Sequence, residues 1–117
     1  MTLNEISKIL QADFAGDVKD LDKEIKMACG SDLMSDVLSF IKADSLLLTG
    51  LANPQVVRTA EMAGIAGICF VRGKQPQPET VKLAEEKKIP LLATELSMHE
   101  SCGRLYREGL PGCDEIK

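Results

Sequence analysis

The sequence predicts an α/β fold of three layers, with helices on both faces of a mostly parallel central sheet of about four strands. Three observations predict it. Short apolar runs, "SLLLTG", "IAGICFV" and "IPLLAT", alternate with stretches whose apolar residues recur at helical spacing. The stretches between the runs are long enough to cross over and join parallel strands. The core must be aliphatic, because 117 residues hold no Trp, one Tyr and three Phe.

The elements follow in order. "TLNE" at Thr2–Glu5 is a capping box, and Ile6, Ile9 and Leu10 continue a first helix over about residues 3–11. "ADFAG" can form a short strand that ends at Gly16, and the polar "DVKDLDKE" reads as a connection. "EIKMACG" alternates at Ile25, Met27 and Cys29 and stops at Gly30, as a strand does. Ser31 is then placed as the N-cap of a second helix, with Leu33, Val37, Phe40 and Ile41 on its apolar face and Met34 and Leu38 widening it. The three consecutive leucines of "SLLLTG" suit a strand covered on both faces. Asn53 as cap and Pro54 as first residue open a third helix, which carries Val56, Val57, Ala60 and Met62 to a terminal Gly64. "IAGICFV" over 65–71 is the next strand, and "RGKQPQP" a turn. Pro78 opens a fourth helix with Val81 and either Ala84 or Leu83 facing inward. "IPLLAT" is the last strand. Thr94 or Ser97 caps a final helix bearing Leu96, Met98, Cys102, Leu105 and Tyr106, ended by Gly109. Residues 1–110 are expected to form one domain and 111–117 a flexible tail.

The totals exclude several functions. A net charge of −4 argues against a nucleic-acid binder, which needs a basic face. No run approaches the ~20 apolar residues of a membrane span, and the N-terminus lacks the basic start and apolar run of a signal peptide. A cytoplasmic protein is expected. Cys29, Cys69, Cys102 and Cys113 match no metal or cluster spacing, so reduced thiols filling apolar space are expected, with no cofactor.

The candidate chemistry is sparse. Asp32 and Asp36, four residues apart, could share a cation, but carboxylates at a helix start also stabilise its dipole, and no further ligands stand near in sequence. That dipole role is the expectation. His99 and Cys102 form an i, i+3 pair, yet Cys102 shares an apolar face with Met98 and Leu105, so a nucleophilic role is not expected. "VRGKQPQP" is no phosphate-binding loop, since neither the first glycine nor the following Ser or Thr is present. The expectation is therefore no enzyme activity, no catalytic residue and no metal site.

One constellation remains. Parallel sheets bind ligands outside the carboxyl ends of their strands. Those ends carry Gly30, Ser31 and Asp32; Thr49, Gly50 and Asn53; Arg72, Gly73 and Lys74; and Thr94 and Glu95. Glycines allow close backbone approach, helix N-termini offer N–H groups, and Arg72 and Lys74 add positive charge. The set could hold an anionic metabolite or a nucleotide phosphate. The rival reading is an interaction module, with "LLTGLANP" and the last helix as candidate surfaces.

Three segments, "SDLMSDVL", "LLLTGLANPQVVRTAEMAGIAGICFVRGKQPQPETVKLAEEKKIPLLAT" and "CGRLYREGL", together resemble the DRTGG domain from about residue 3 to residue 110. Such domains occur alone or fused to CBS domains and phosphotransacetylase-type enzymes, and are similar to the N-terminal domain of HPr kinase/phosphorylase. The resemblance implies that N-terminal domain's fold and a regulatory, ligand-sensing domain that often forms homodimers. The family's Asp-Arg stands here as Asp22-Lys23, and its Thr-Gly-Gly as Val71-Arg72-Gly73. The expected function is non-catalytic sensing of a small anionic ligand, a nucleotide or phosphorylated metabolite. The alternative is an adaptor that dimerises or docks on a partner enzyme.

Overall fold

The computed structural model describes residues 1–113. The elements run α1 (Leu3–Ile9), β1 (Asp13–Ala15), β2 (Met27–Gly30), α2 (Met34–Phe40), β3 (Ser45–Thr49), α3 (Pro54–Ala63), β4 (Gly67–Phe70), α4 (Pro78–Lys87), β5 (Leu91–Ala93) and α5 (Met98–Arg107). They form a five-stranded sheet in the order β1-β5-β4-β3-β2. The strands β2 to β5 run parallel to one another. The "ADFAG" segment supplies the remaining strand, β1, antiparallel to β5, with Phe14 opposite Leu92.

The predicted layers are present, but crossover geometry accounts for only one of them. The strands β2 to β5 follow one another across the sheet without reversal. Crossovers of one hand then place α2, α3 and α4 on a single face. There Val37, Val56, Val57, Ala60 and Ala84 pack on Leu47, Ile68, Phe70 and Leu91. The other face is covered by the two helices that cross nothing over. From α1 and α5, Leu3, Ile6 and Leu105 meet Leu46, Leu48, Cys69, Val71 and Leu92. Each strand of the centre thus divides its residues between two cores, as a period of two requires.

Local signals explain most element ends. The Thr2 hydroxyl accepts from the Glu5 N–H, and the Glu5 carboxylate accepts from the Thr2 N–H. The Asn53 side chain accepts from the Gln55 N–H at 3.1 Å, and Gly64 closes α3 at φ 70°, where a side chain would be strained. Of the two caps offered for α5, Ser97 is the one used.

Three expectations fail. Ser31 does not cap α2. Its hydroxyl accepts from the Leu33 N–H, which makes a tight turn, and the helix begins only at Met34 with no side-chain cap. The apolar face of α2 is also narrower than expected. Only Val37 is buried, while Leu38 and Phe40 are exposed, because a seven-residue helix at the sheet margin presents little more than one inward position. Met62 and Tyr106 are likewise exposed. Finally, residues 111–113 are not a loose tail. The Pro111 carbonyl accepts from the Ala28 N–H at 2.9 Å, and the Cys113 N–H donates to the Ala28 carbonyl at 3.2 Å. Leu110 and Cys113 are buried. The β2 edge takes up these groups because its own ladder is otherwise open. Residues 114–117 of the expected tail lie outside the described residues.

One buried hydroxyl offers a test of packing. Ser101, on the inner side of α5, is fully buried and its Oγ has no hydrogen-bond partner among the described residues. An unpaired buried polar group costs about 1–3 kcal/mol. Ser101→Ala is therefore expected to stabilise the protein by about 1 kcal/mol, seen as a midpoint several degrees higher in a thermal melt. A lower midpoint would show that the hydroxyl is satisfied.

Candidate functional site

The carboxyl ends of the parallel strands lie along one edge, but the strand order never reverses there. The crevice that a reversal opens is therefore missing, and any site has to be built by side chains. Four residues build one. The turn at Ser31 lifts Asp32 off the end of β2 and aims its carboxylate across to β3. Its Oδ1 accepts from the Thr49 hydroxyl at 2.9 Å and from the Gly50 N–H at 2.7 Å. The Arg72 guanidinium stands 3.8 Å from its Oδ2. A Cβ on Gly50 would lie 3.0 Å from that guanidinium, so the arginine tip would have to give way slightly.

Asp32 is thus no helix-dipole carboxylate. It precedes α2 and ties two strand ends together, while Asp36 alone sits in the first helical turn. The link spans 17 residues, and no local pattern announces it.

Arg72 occupies the left-handed region at φ 59°, followed by Gly73 at φ 72°. For arginine this conformation costs roughly 1–2 kcal/mol. Two hydrogen bonds hold it: the Arg72 N–H donates to the Leu96 carbonyl at 2.7 Å, and the Gly73 N–H to the Thr94 carbonyl at 2.9 Å. A Cβ on Gly73 would collide with the Glu95 carboxylate. The turn after β4 is therefore locked onto the loop after β5, with the guanidinium left 57% exposed.

The other predicted site residues are placed as follows. Thr94 is buried. Its hydroxyl donates to the Leu10 carbonyl at 2.6 Å and accepts from the Leu96 N–H, so it anchors α1 and does not face the edge. Asn53 caps α3. Ser31 shapes the turn. Lys74 is exposed, two residues beyond Arg72. The structure brings together Asp32, Thr49, Gly50 and Arg72, with Gly73 behind them. Glu95, expected at the same edge, follows β5 and lays its carboxylate against Gly73. Three hollows, of about 690, 450 and 360 Å³, are lined by other residues.

Two of the cysteines hold their protons. Burial pushes the Cys69 thiol up to about 12, and burial also raises Cys102. Neither is poised as a thiolate. Among the described residues, no three His, Cys, Asp or Glu side chains gather to hold a metal ion. Among the described residues, no helix is long and apolar enough to cross a membrane.

Comparison with solved structures finds a similar fold in the CBS and DRTGG domains of the regulatory region of Clostridium perfringens pyrophosphatase, complexed with its activator diadenosine tetraphosphate. The TM-score is 0.69 at 16% identity, and the match covers 94% of this chain and 47% of that one. The chain thus spans about half the length of that neighbour. Comparison with curated proteins gives no match. The model of the DRTGG domain matches residues 5–107, nearly the whole chain, and the protein belongs to the DRTGG domain family.

Proposed function

We propose that the protein is a non-catalytic regulatory module of the cytoplasm whose strand-end cluster binds a small anionic ligand of the nucleotide class. The observation that carries this reading is the Asp32 carboxylate itself. It already occupies a nest of donors, the Thr49 hydroxyl and the Gly50 N–H, beside an arginine. A phosphate oxygen has the same charge and the same acceptor geometry. The Arg72–Asp32 pair is long and exposed, so it contributes little and is readily exchanged. Lys74 adds a second free-standing cation. An arriving phosphate would engage Arg72 and displace Asp32, which frees the 31–33 turn and shifts α2. Family membership and the nucleotide held by the pyrophosphatase regulatory region support the reading.

A thermal-shift screen with ATP and diadenosine tetraphosphate tests it. A ligand at 100 times its Kd stabilises by about 2.7 kcal/mol, which moves the midpoint by several degrees. The shift should fall in Arg72→Gln, which keeps the backbone cost of the position unchanged. It should grow in Asp32→Asn, which keeps an acceptor for Gly50 and removes the competing charge. No shift with either nucleotide, or a shift undiminished in Arg72→Gln, overturns the reading.

A second reading rests on a different observation. Leu33, Leu38 and Phe40 of the α2 segment and Met62 of α3 are all exposed. Apolar side chains concentrated in one segment mark an interaction surface, for a second copy of this chain or for a partner enzyme. A homodimer in light scattering that Phe40→Ser dissociates, together with a flat nucleotide screen, would favour this adaptor role.

A further inference from the structure

The hollow of about 690 Å³ opens at the other end of the sheet from Arg72, under the segment that joins β1 to β2. That volume falls within the roughly 300–1,000 Å³ of small-molecule sites. The floor is apolar, made by buried Ala84, Ile89 and Pro90 at the junction of α4 and β5. The overlying segment is pinned at both ends. The Asp17 N–H donates to Glu85 Oε2 at 2.9 Å, and the Lys23 carbonyl accepts from the Leu3 N–H at 3.1 Å. A Cβ on Gly16 would lie 2.8 Å from Val81 Cγ1, so the segment sits tight against α4. The mouth is therefore formed in advance, which lowers the cost of binding.

The charges around it sort into spent and unspent groups. Lys19 pairs with Asp17 at 3.7 Å, Lys87 turns away to Glu61 at 3.2 Å, and Glu85 serves the Asp17 N–H. The Ala84 and Glu85 carbonyls in the last turn of α4 are taken by the backbone N–H groups of Lys88 and Ile89. Lys23, Lys88 and Asp20 remain on the lining, and among the described residues none of the three has an ion pair. Lys23 and Lys88 stand against the carboxylates of Asp20 and Glu85 over an apolar floor, since the Asp17 N–H leaves the Glu85 charge in place.

We propose that this hollow binds a phosphorylated metabolite of mononucleotide size. Its phosphate lies on Lys23 and Lys88, its ring on the floor of Ala84, Ile89 and Pro90, and a hydroxyl or amino donor on Asp20. The site is independent of the strand-end cluster. It lies at the far end of β5, and the four residue steps from Pro90 to Thr94 alone span roughly 13 Å.

The test is a titration of isotope-labelled protein with adenosine monophosphate, followed by amide chemical shifts. Inorganic phosphate serves as a second probe. Adenosine monophosphate should move the amides of residues 15–24 and 84–90, and phosphate alone should move the same set more weakly. Lys23→Gln with Lys88→Gln should weaken nucleotide binding at least tenfold. Lys88 is exposed and Lys23 half-buried, neither is in the core, and glutamine keeps most of their length, so folding is preserved. Arg72→Gln should leave binding at this hollow unchanged. Shifts confined to the residues around Gly50 and Arg72, an affinity unaltered in the double variant, or no shifts at millimolar nucleotide would each overturn the proposal. Because the two sites report through different amides, the strand-end reading stands or fails separately.

Discussion

Replacing Phe70 by alanine is expected to destabilise the protein by about 3–5 kcal/mol and to lower its melting midpoint by roughly 10–25 °C. Phe70 is fully buried on β4, where it packs against the layer of α2, α3 and α4. It is the one fully buried aromatic side chain among the described residues: Phe14 is half-buried and Phe40 is exposed. The same substitution at Phe40 should cost no more than about 0.5 kcal/mol. Urea unfolding followed by circular dichroism measures both. A loss below 1 kcal/mol at Phe70, or equal losses at the two positions, would mean that the core is not organised around β4.

The contrast between these phenylalanines shows what the sequence could and could not convey. Uninterrupted apolar runs revealed β3, β4 and β5, because strands covered on both faces must be apolar at every position. Capping chemistry located α1 and α3, since those hydrogen bonds are made within a few residues. Helical periodicity, in contrast, counted Phe40 and Met62 as inward residues. Periodicity gives the spacing of a stripe but not how wide a surface meets it, and α2 lies at the margin of the sheet. The predicted cluster was partly legible for the same reason. Strand ends could be recognised, so Asp32, Thr49, Gly50 and Arg72 were expected along one edge, where they do cluster. That Asp32 would leave its helix to cap β3 depends on the register of β2 beside β3, with Gly30 opposite Leu48. Thr94 was misjudged because its hydroxyl is drawn to Leu10, 84 residues away. Lys23 and Lys88 were not expected to share a hollow, since the segments that carry them meet only when β1 adds to β5.

Ending the chain at Gly109 provides the other large effect, since a loose tail could be removed at almost no cost. Leu110 is 4% exposed and belongs to the core beneath α5. Its loss resembles a buried leucine truncated to nothing, about 2–5 kcal/mol. Two hydrogen bonds to Ala28 go with it, and β2 is left as an open edge. The Cys113 thiol, 3.0 Å from the Ser45 hydroxyl, also disappears from the start of β3. A domain of this length holds a total stability on the order of 6–17 kcal/mol. The truncated chain is therefore expected to lose about 3–5 kcal/mol, to melt at least 10 °C lower and to exchange the Ala28 amide hydrogen rapidly. Ending the chain after Cys113 instead keeps all of these contacts and is the matched control. If the two truncations melted together, residues 110–113 would contribute nothing to the fold, and their pairing with β2 would have to be abandoned.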